Sequence, residues 1–517
     1  MNQASFISTT IPYVNANPHL GHALEYVQTD AYARHMSSMG QDVYFLSGSD
    51  ENSLKNVLVA EREGVPVREL VDRNVVSFEK LAEELQIRLA RFIRTSVDED
   101  HTEGATAIWQ RMVERGDIYT KDYEGLYCVG CEQFYAPEEL VVGECPEHLT
   151  EPERIAEHNY FFRLSQYQDR LLEALERGDI RVVPETRRNE VISFVRSGLE
   201  DISVSRSTTR ARGWGIPVPG DPDQVMYVWI DALTNYINAL AWQRDTPEYR
   251  RYWAEAQRRV HVVGKGVTRF HAVYWPAMLM SAGLPLPTDV VVHGYITASG
   301  MKISKSLGNA VDPRDLVDRF GVAAVRYYLL AAFSPFTDGD FSEERLVERC
   351  NADLANGLGN LVSRATSMTV RYRDGLVPAP AATTGLEAAL HQQVLDSDKG
   401  SIAAMAGYDH REALARIWDL VRRTNAYIDE RSPWHLAKDE SAEAQAALDT
   451  TLYHLVGAVR QIGRLVQPFL PEAGEAVLGA LGTTLEGVPS AERCWDELTG
   501  ARVTKGPALF PRVERPA

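Results

Sequence analysis

Pro18-His19-Leu20-Gly21-His22 ends a loop that follows a short apolar run at residues 5–10, and it opens a stretch of helical spacing closed by Gly40. Strand, loop and helix start, in that order, predict the first unit of a parallel, nucleotide-binding sheet. A helix N-terminus carries unpaired N–H groups and the positive end of the macrodipole, so it attracts phosphate. His19 and His22 share one face of the first turn and add donors there. Gly21 has no side chain, which lets a flat base approach the backbone. Two histidines at this spacing also arise by chance, and the weight comes from a second stretch past the middle of the chain: Ser299-Gly300-Met301-Lys302-Ile303-Ser304-Lys305-Ser306. Its lysines can reach a triphosphate as mobile point charges, and its glycines let the loop close. Nucleotidyl transfer asks mainly for charge stabilisation on the leaving pyrophosphate. The two stretches are therefore expected to grip ATP together.

Bulk properties narrow the setting. A chain of 517 residues exceeds what one core organises and predicts several domains. Hydrophobic residues at 44% and charged residues at 24% are the balance of a water-soluble globular chain. The longest apolar stretch, 322–333, contains Arg326, so no membrane span is expected. The opening residues MNQASFISTT lack the basic and apolar regions of a secretion signal. Three of the five cysteines lie between 128 and 145, which suits a reducing compartment and a metal better than a disulfide framework. A cytoplasmic location follows. A net charge of −18 argues against a protein that coats nucleic acid, DNA included. A specific RNA stays open, because arginines cluster locally at 187–188, 206–212, 371–373, 422–423 and 460–464.

Strand and helix signals alternate through 1–112, with strands at 43–46 and 91–95 and a helix at 67–85. The same texture returns in 226–292, with strands at 260–263 and 290–292; the first runs into Gly264-Lys265-Gly266. Between them, 113–225 carries cysteines, prolines and few long helices, as an insertion that splits the fold in two. Residues 293–345 hold the lysine loop. From 346 to 517, helical spacing at 346–371, 412–430 and 448–466 predicts an antiparallel bundle. The predicted class is α/β: a split, Rossmann-type doubly wound parallel sheet with a zinc-bearing connective insertion, followed by an all-α helical bundle.

The zinc comes from spacing. Cys128-Val129-Gly130-Cys131 and Cys145-Pro146-Glu147-His148 form two chelating turns with four soft or borderline ligands, a closed tetrahedral set. With no open position, such a zinc is structural. Elsewhere, Trp229, Ala232 and Tyr236 fall on one helical face, a spacing that buried core helices also show. Asn360 and Arg364, four apart, are neighbours on a helix, and Pro433-Trp434 follows another. Amide, guanidinium and indole can hydrogen-bond and stack on splayed RNA bases.

The His19–His22 and Lys302–Lys305 stretches resemble the two signature sequences of class I aminoacyl-tRNA synthetases, and the surroundings from Thr10 to about Phe469 resemble the methionyl-tRNA synthetases. The resemblance implies that His19, His22, Lys302 and Lys305 stabilise the departing pyrophosphate as methionyl-adenylate forms. It implies ATP contacts at Gly21, Glu25, Gly264, Ser304 and Lys305, with Mg²⁺ arriving on ATP. Ile11, Tyr13, Trp229, Ala232, Tyr236, Val267 and His271 match the family's methionine pocket, and Asp50 its carboxylate for the substrate ammonium group. A polarisable thioether suits an aromatic cavity with a Tyr or His donor near sulfur. Asn360, Arg364 and Trp434 match the residues that read the CAU anticodon of tRNA(Met). The single-knuckle members carry a similar zinc site in the insertion, and no appended dimerising domain follows the bundle, so a monomer is expected.

Two places depart from the family. Many members have Asp-Glu-His-Gly where this chain has Asp50-Glu51-Asn52-Ser53, and Gly-Lys-Asp where it has Gly264-Lys265-Gly266. Loss of one buried charge-assisted hydrogen bond costs about 1.5–3 kcal/mol. Weaker nucleotide or substrate affinity is therefore expected, and Gly266→Asp should lower the Michaelis constant for ATP or methionine. Three other readings compete. A family paralogue with altered inhibitor sensitivity, or one repurposed for another amino acid or a biosynthetic pathway, would be told apart by methionine-dependent ATP–pyrophosphate exchange. A small-molecule nucleotidyltransferase would have no use for the zinc insertion and bundle. A non-catalytic tRNA-binding protein would not need His19, His22, Lys302 and Lys305 intact.

Overall fold

Six strands stand parallel in one sheet: β1 (Ala4–Ser8), β2 (Asp42–Ser49), β3 (Arg91–Arg94), β4 (Arg181–Val183), β5 (Arg258–Gly264) and β6 (Asp289–His293). Their order is β3-β2-β1-β5-β6-β4, and Ser8 of β1 faces Leu46 on one side and His261 on the other. The order reverses between β1 and β5. In doubly wound sheets that switch point opens a ligand crevice beyond the carboxyl ends of the strands. The first crossover is α1 (Leu20–Ser38). Side chains from both faces, among them Phe6, Leu46, Ile93, Val263, Val290 and Val292, join a core with Trp109, Trp253 and Trp275. Gly48 is required: a β-carbon there would lie 2.2 Å from the Ile93 carbonyl oxygen.

The computed structural model describes residues 3–128, 133–135, 137–146, 150–298, 301–302, 311–381 and 383–514. The chain divides into two units, Met1–Thr29 with Met39–Tyr295, and Asp30–Ser38 with Ile296–Ala517. The first contains the six-stranded sheet. It also contains an antiparallel sheet built mainly from Ile118–Cys128 and Glu153–Phe162. The 113–225 stretch is richer in helix than its sequence suggested, with helices Gln168–Arg177 and Glu185–Arg196. Between these helices lies β4, which pairs with β6 through Val182 and Val290. Part of the insertion thus belongs to the main sheet.

In the second unit, Ile296–Ala298 is the middle of a three-stranded sheet, antiparallel to Met301–Lys302 and parallel to Gly339–Phe341. Its bundle includes Gly385–Ala406, His410–Arg431 and Ala442–Val466. The single helix expected at 346–371 is instead three pieces. Glu343–Arg349 leads into a π-helical stretch, Cys350–Gly359, and then into Asn360–Arg373. The wider π turn re-phases the side chains that follow it. Arg326, the charge in the longest apolar stretch, is fully buried and meets the buried Asp30 at 2.7 Å. No described helix is long and apolar enough to cross a membrane.

Candidate active site

β1 delivers the chain to the carboxyl edge of the sheet, and α1 starts immediately after His19. The imidazoles of His19 and His22 stack with centroids 3.9 Å apart. The His19 backbone N–H donates to His22 Nδ1, and the Gly21 backbone N–H donates to His19 Nδ1, each at 3.1 Å. A nitrogen that accepts carries no hydrogen, so in the neutral rings Nε2 bears it. Burial, and then the neighbouring His19, hold the His22 pKa well below its ordinary value. The His22 ring is a neutral N–H donor, and both rings are aimed by their own backbone. Gly21 has a local reason too: a β-carbon there would come 2.9 Å from the His19 ring.

One turn further along α1, Glu25 accepts from the Thr10 backbone N–H at 2.7 Å and from its hydroxyl at 2.5 Å. Its other oxygen meets His293 Nε2 at 2.7 Å, while His293 Nδ1 donates to the Gly294 carbonyl at 2.8 Å. Burial alone would lower the His293 pKa, but the Glu25 carboxylate outweighs it and the pKa is raised. This pair fastens the ends of β1 and β6 to α1. At the end of β5, the Gly266 N–H donates to the Tyr295 hydroxyl at 2.7 Å, and the Lys265 ammonium lies 4.6 Å from the centroid of that ring. Of the lysine loop, Lys302 has its backbone in the strand Met301–Lys302. Ser304 and Lys305 lie outside the described residues.

A cavity of about 580 Å³ opens in the first unit, lined among others by Tyr13, Lys55, Trp229, Lys265, Val267 and Phe270. Trp229 stacks on Phe270 at 3.9 Å, and its buried Nε1 has no hydrogen-bond partner among the described residues. The expected single helix through Trp229, Ala232 and Tyr236 is two short ones, Val228–Leu233 and Asn235–Asn238. Ala232, Tyr236 and His271 are buried. His271 Nδ1 donates to the Val267 carbonyl at 2.9 Å, so its Nε2 accepts from the Tyr236 hydroxyl at 2.6 Å. Burial lowers the His271 pKa to about 4. Tyr236 and His271 are therefore committed to partners, whereas Trp229 Nε1, on the cavity wall, has none among the described residues. Asp50 is 2% exposed and bridges Tyr13, with its N–H donating to the Pro12 carbonyl at 2.9 Å; Ile11 is half-buried just before them.

Of the knuckle residues, Cys128 and Cys145 are buried in one small cluster with Tyr135 and Leu140. Cys131 and His148 lie outside the described residues. Two buried thiols drawn together from the two Cys turns fit the donor chemistry of zinc. Among the described residues no group of three metal-ligating side chains converges. In the second unit, Arg364 pairs with Asp429 at 2.5 Å, Asn360 is exposed, and Trp434 is 37% exposed.

Sequence reading missed Phe270, His293, Thr10, Lys55 and Tyr295. Phe270 adjoins His271 in a π-helical turn, Phe270–Tyr274, that period-3.6 reasoning does not register.

A family model described as "tRNA synthetases class I (M)" matches residues 5–155 and 148–366, and one described as "Anticodon binding domain of methionyl tRNA ligase" matches 377–515. The parallel sheet with paired imidazoles at its first helix is thus the catalytic fold of class I tRNA synthetases, followed by a helical anticodon-type domain. A methionine–tRNA ligase of Caldanaerobacter subterraneus subsp. tengcongensis is 43% identical, over 99% of this chain and 80% of the relative. One from Brucella suis biovar 1 is also 43% identical, over 98% of this chain and 97% of the relative. The structure of Mycobacterium tuberculosis methionyl-tRNA synthetase in complex with methionyl-adenylate superimposes with a TM-score of 0.93 at 42% identity, covering 99% of this chain and 100% of that one. The chain belongs to the methionyl-tRNA synthetase family.

Proposed function

We propose that the chain is a methionine–tRNA ligase. A methionine carboxylate oxygen attacks the α-phosphorus of ATP, the bond to the β-phosphate oxygen breaks, and pyrophosphate leaves. A ribose hydroxyl of the 3′-terminal adenosine of tRNA(Met) then attacks the adenylate carbonyl, and AMP leaves. The observation that carries this reading is the pair of back-bonded imidazoles at the start of α1, in the same unit as the Trp229-lined cavity.

In this reading His19 and His22 direct Nε2–H groups at the departing phosphates, and Lys302 and Lys305 add positive charge from the loop, with Ser304 as a further donor. A neutral donor such as His22 suits this role because it needs no desolvated charge before ATP binds. Gly21, Glu25 and Gly264 contact the nucleotide, Mg²⁺ enters on ATP as part of that substrate, and Asp50 takes the ammonium group. Ile11, Tyr13, Trp229, Ala232, Tyr236, Val267 and His271 shape the side-chain site. Asn360, Arg364 and Trp434 read the anticodon. Cys128, Cys131, Cys145 and His148 would hold one structural zinc, which closes the knuckle. The domain division at 112, 225, 292 and 345 is part of the proposal, with 181–183 of the insertion lending a strand to the main sheet, as are a monomeric state and a cytoplasmic location. Methionine-dependent ATP–pyrophosphate exchange, followed by charging of tRNA(Met), tests it. Exchange with another amino acid and none with methionine overturns it.

A further inference from the structure

Behind the Trp229 wall lies a buried polar chain. Asp231 is 1% exposed and sits in the first turn of Val228–Leu233, between Trp229 and Ala232. Its two oxygens have separate partners. His101 Nε2 lies 2.5 Å from Oδ1, and the Asn52 amide donates to Oδ2 at 2.7 Å while also reaching the Thr95 carbonyl at 3.3 Å. The Asn238 amide donates to the His101 carbonyl at 3.0 Å and the Thr234 hydroxyl at 2.7 Å, and its oxygen accepts from Trp242 at 2.9 Å. Both oxygens of this buried side chain thus have hydrogen-bond partners.

Asn52 comes from the other wall. It stands two residues after Asp50, whose backbone bridges Tyr13. One side-chain amide thus ties the loop bearing Asp50 and Tyr13 to the helix bearing Trp229 and Ala232. His101, itself held by Asn238, meets the other Asp231 oxygen, so Asn52 is the member of the chain that spans the site.

We propose that Asn52 is a positioning residue for the amino-acid site. Through Asp231 it sets the spacing between Asp50 and the Trp229 face, and so the fit of the bound amino acid, without touching it. This rests on the methionine reading above. Loss of the amide leaves one Asp231 oxygen unmet and lets the helix shift against the Asp50 loop. The ATP side, built on α1 and β5, is not connected through this bond. Asn52 also borders a cavity of about 30 Å³ with Leu54, Tyr127, Arg206 and Trp214, which leaves room for a longer amide.

The test measures ATP–pyrophosphate exchange for the full chain and for Asn52→Ala, Asn52→Gln and Asn52→Asp, with separate Michaelis constants for methionine and ATP and a thermal melt for each. In Asn52→Ala the constant for methionine should rise about 10- to 100-fold, the effect of losing one hydrogen bond to a charged group. The constant for ATP and kcat should stay near those of the unsubstituted chain, and Asn52→Gln should recover most of the loss. An unchanged constant for methionine, or a parallel rise for ATP, overturns the proposal. If Asn52→Ala does not fold, the isosteric Asn52→Asp carries the comparison. It sets a like charge against Asp231 and should lose methionine affinity that Asn52→Gln keeps; equal values overturn the proposal. Absence of methionine-dependent exchange in the unsubstituted chain would instead fell the methionine reading itself, before any variant is compared.

Discussion

His293 and Glu25 form a nearly buried ion pair at 2.7 Å, joining residues 268 positions apart. Because the pairing raises the His293 pKa, its stabilisation is complete below the unfolded value of about 6.5 and is lost as pH rises through the folded value. His271 has the opposite sign. Its folded pKa of about 4 means that the unfolded chain takes up the proton first, so stability falls between about pH 6.5 and 4 and levels off below. Calorimetry against pH should therefore show a loss of midpoint on acidification. The destabilisation caused by His293→Gln should be largest near pH 6 and shrink toward pH 9.

The stacked imidazoles give a second expectation. His19→Ala or His22→Ala should cut the exchange rate about 100- to 1000-fold, the range for removing one preorganised donor from a developing anion. Methionine binding, followed by tryptophan fluorescence, should persist in both variants. Loss of binding in step with rate would point to collapse of the α1 start instead.

Much of this was legible in the sequence, and the rest was hidden for physical reasons. Five of the six strands announce themselves as apolar runs beside glycine or a polar turn. β4 does not: three residues, Arg181–Val183, give no periodicity, and only pairing with β6 makes them a strand. The candidate site divides the same way. His19, His22 and Asp50 sit in short motifs readable in one dimension. The partners of Glu25 and Asp231 lie on other elements or in loops between them, so nothing local marks Thr10, His293, Asn52 or His101 as such. The committed hydrogen of Tyr236 depends on which nitrogen of His271 serves Val267, which no residue pattern encodes.

Metal content offers a third check. Purified protein should carry about one zinc per chain, the capacity of one closed four-ligand site. Cys145→Ser should lose the metal and lower the melting midpoint, because zinc affinity is folding energy for so small a module. Full occupancy in Cys145→Ser would remove this residue from the ligand set.

The proposed anticodon residues of the bundle give a fourth expectation. Arg364→Ala or Trp434→Ala should weaken tRNA binding by about 1–3 kcal/mol, the worth of one stacked or hydrogen-bonded base. Exchange without tRNA should not change. Arg364 is engaged with Asp429 in this structure, so under the proposed anticodon role the arginine would trade that partner for a base. Charging assays over a tRNA concentration series would read the effect as a Michaelis constant rather than a turnover.

The edge position of β4 bears on how this chain can be cut. An engineer who excised the whole 113–225 stretch as a cassette would strip β6 of its outer neighbour. The same cut would remove Leu171, Leu175, Val191 and Val195 from the main core. A bare parallel edge invites pairing with another molecule, so such a truncation should precipitate. Trimming confined to the hairpin between Ile118 and Phe162 leaves that edge covered, and it marks the boundary within which a shortened enzyme can be sought.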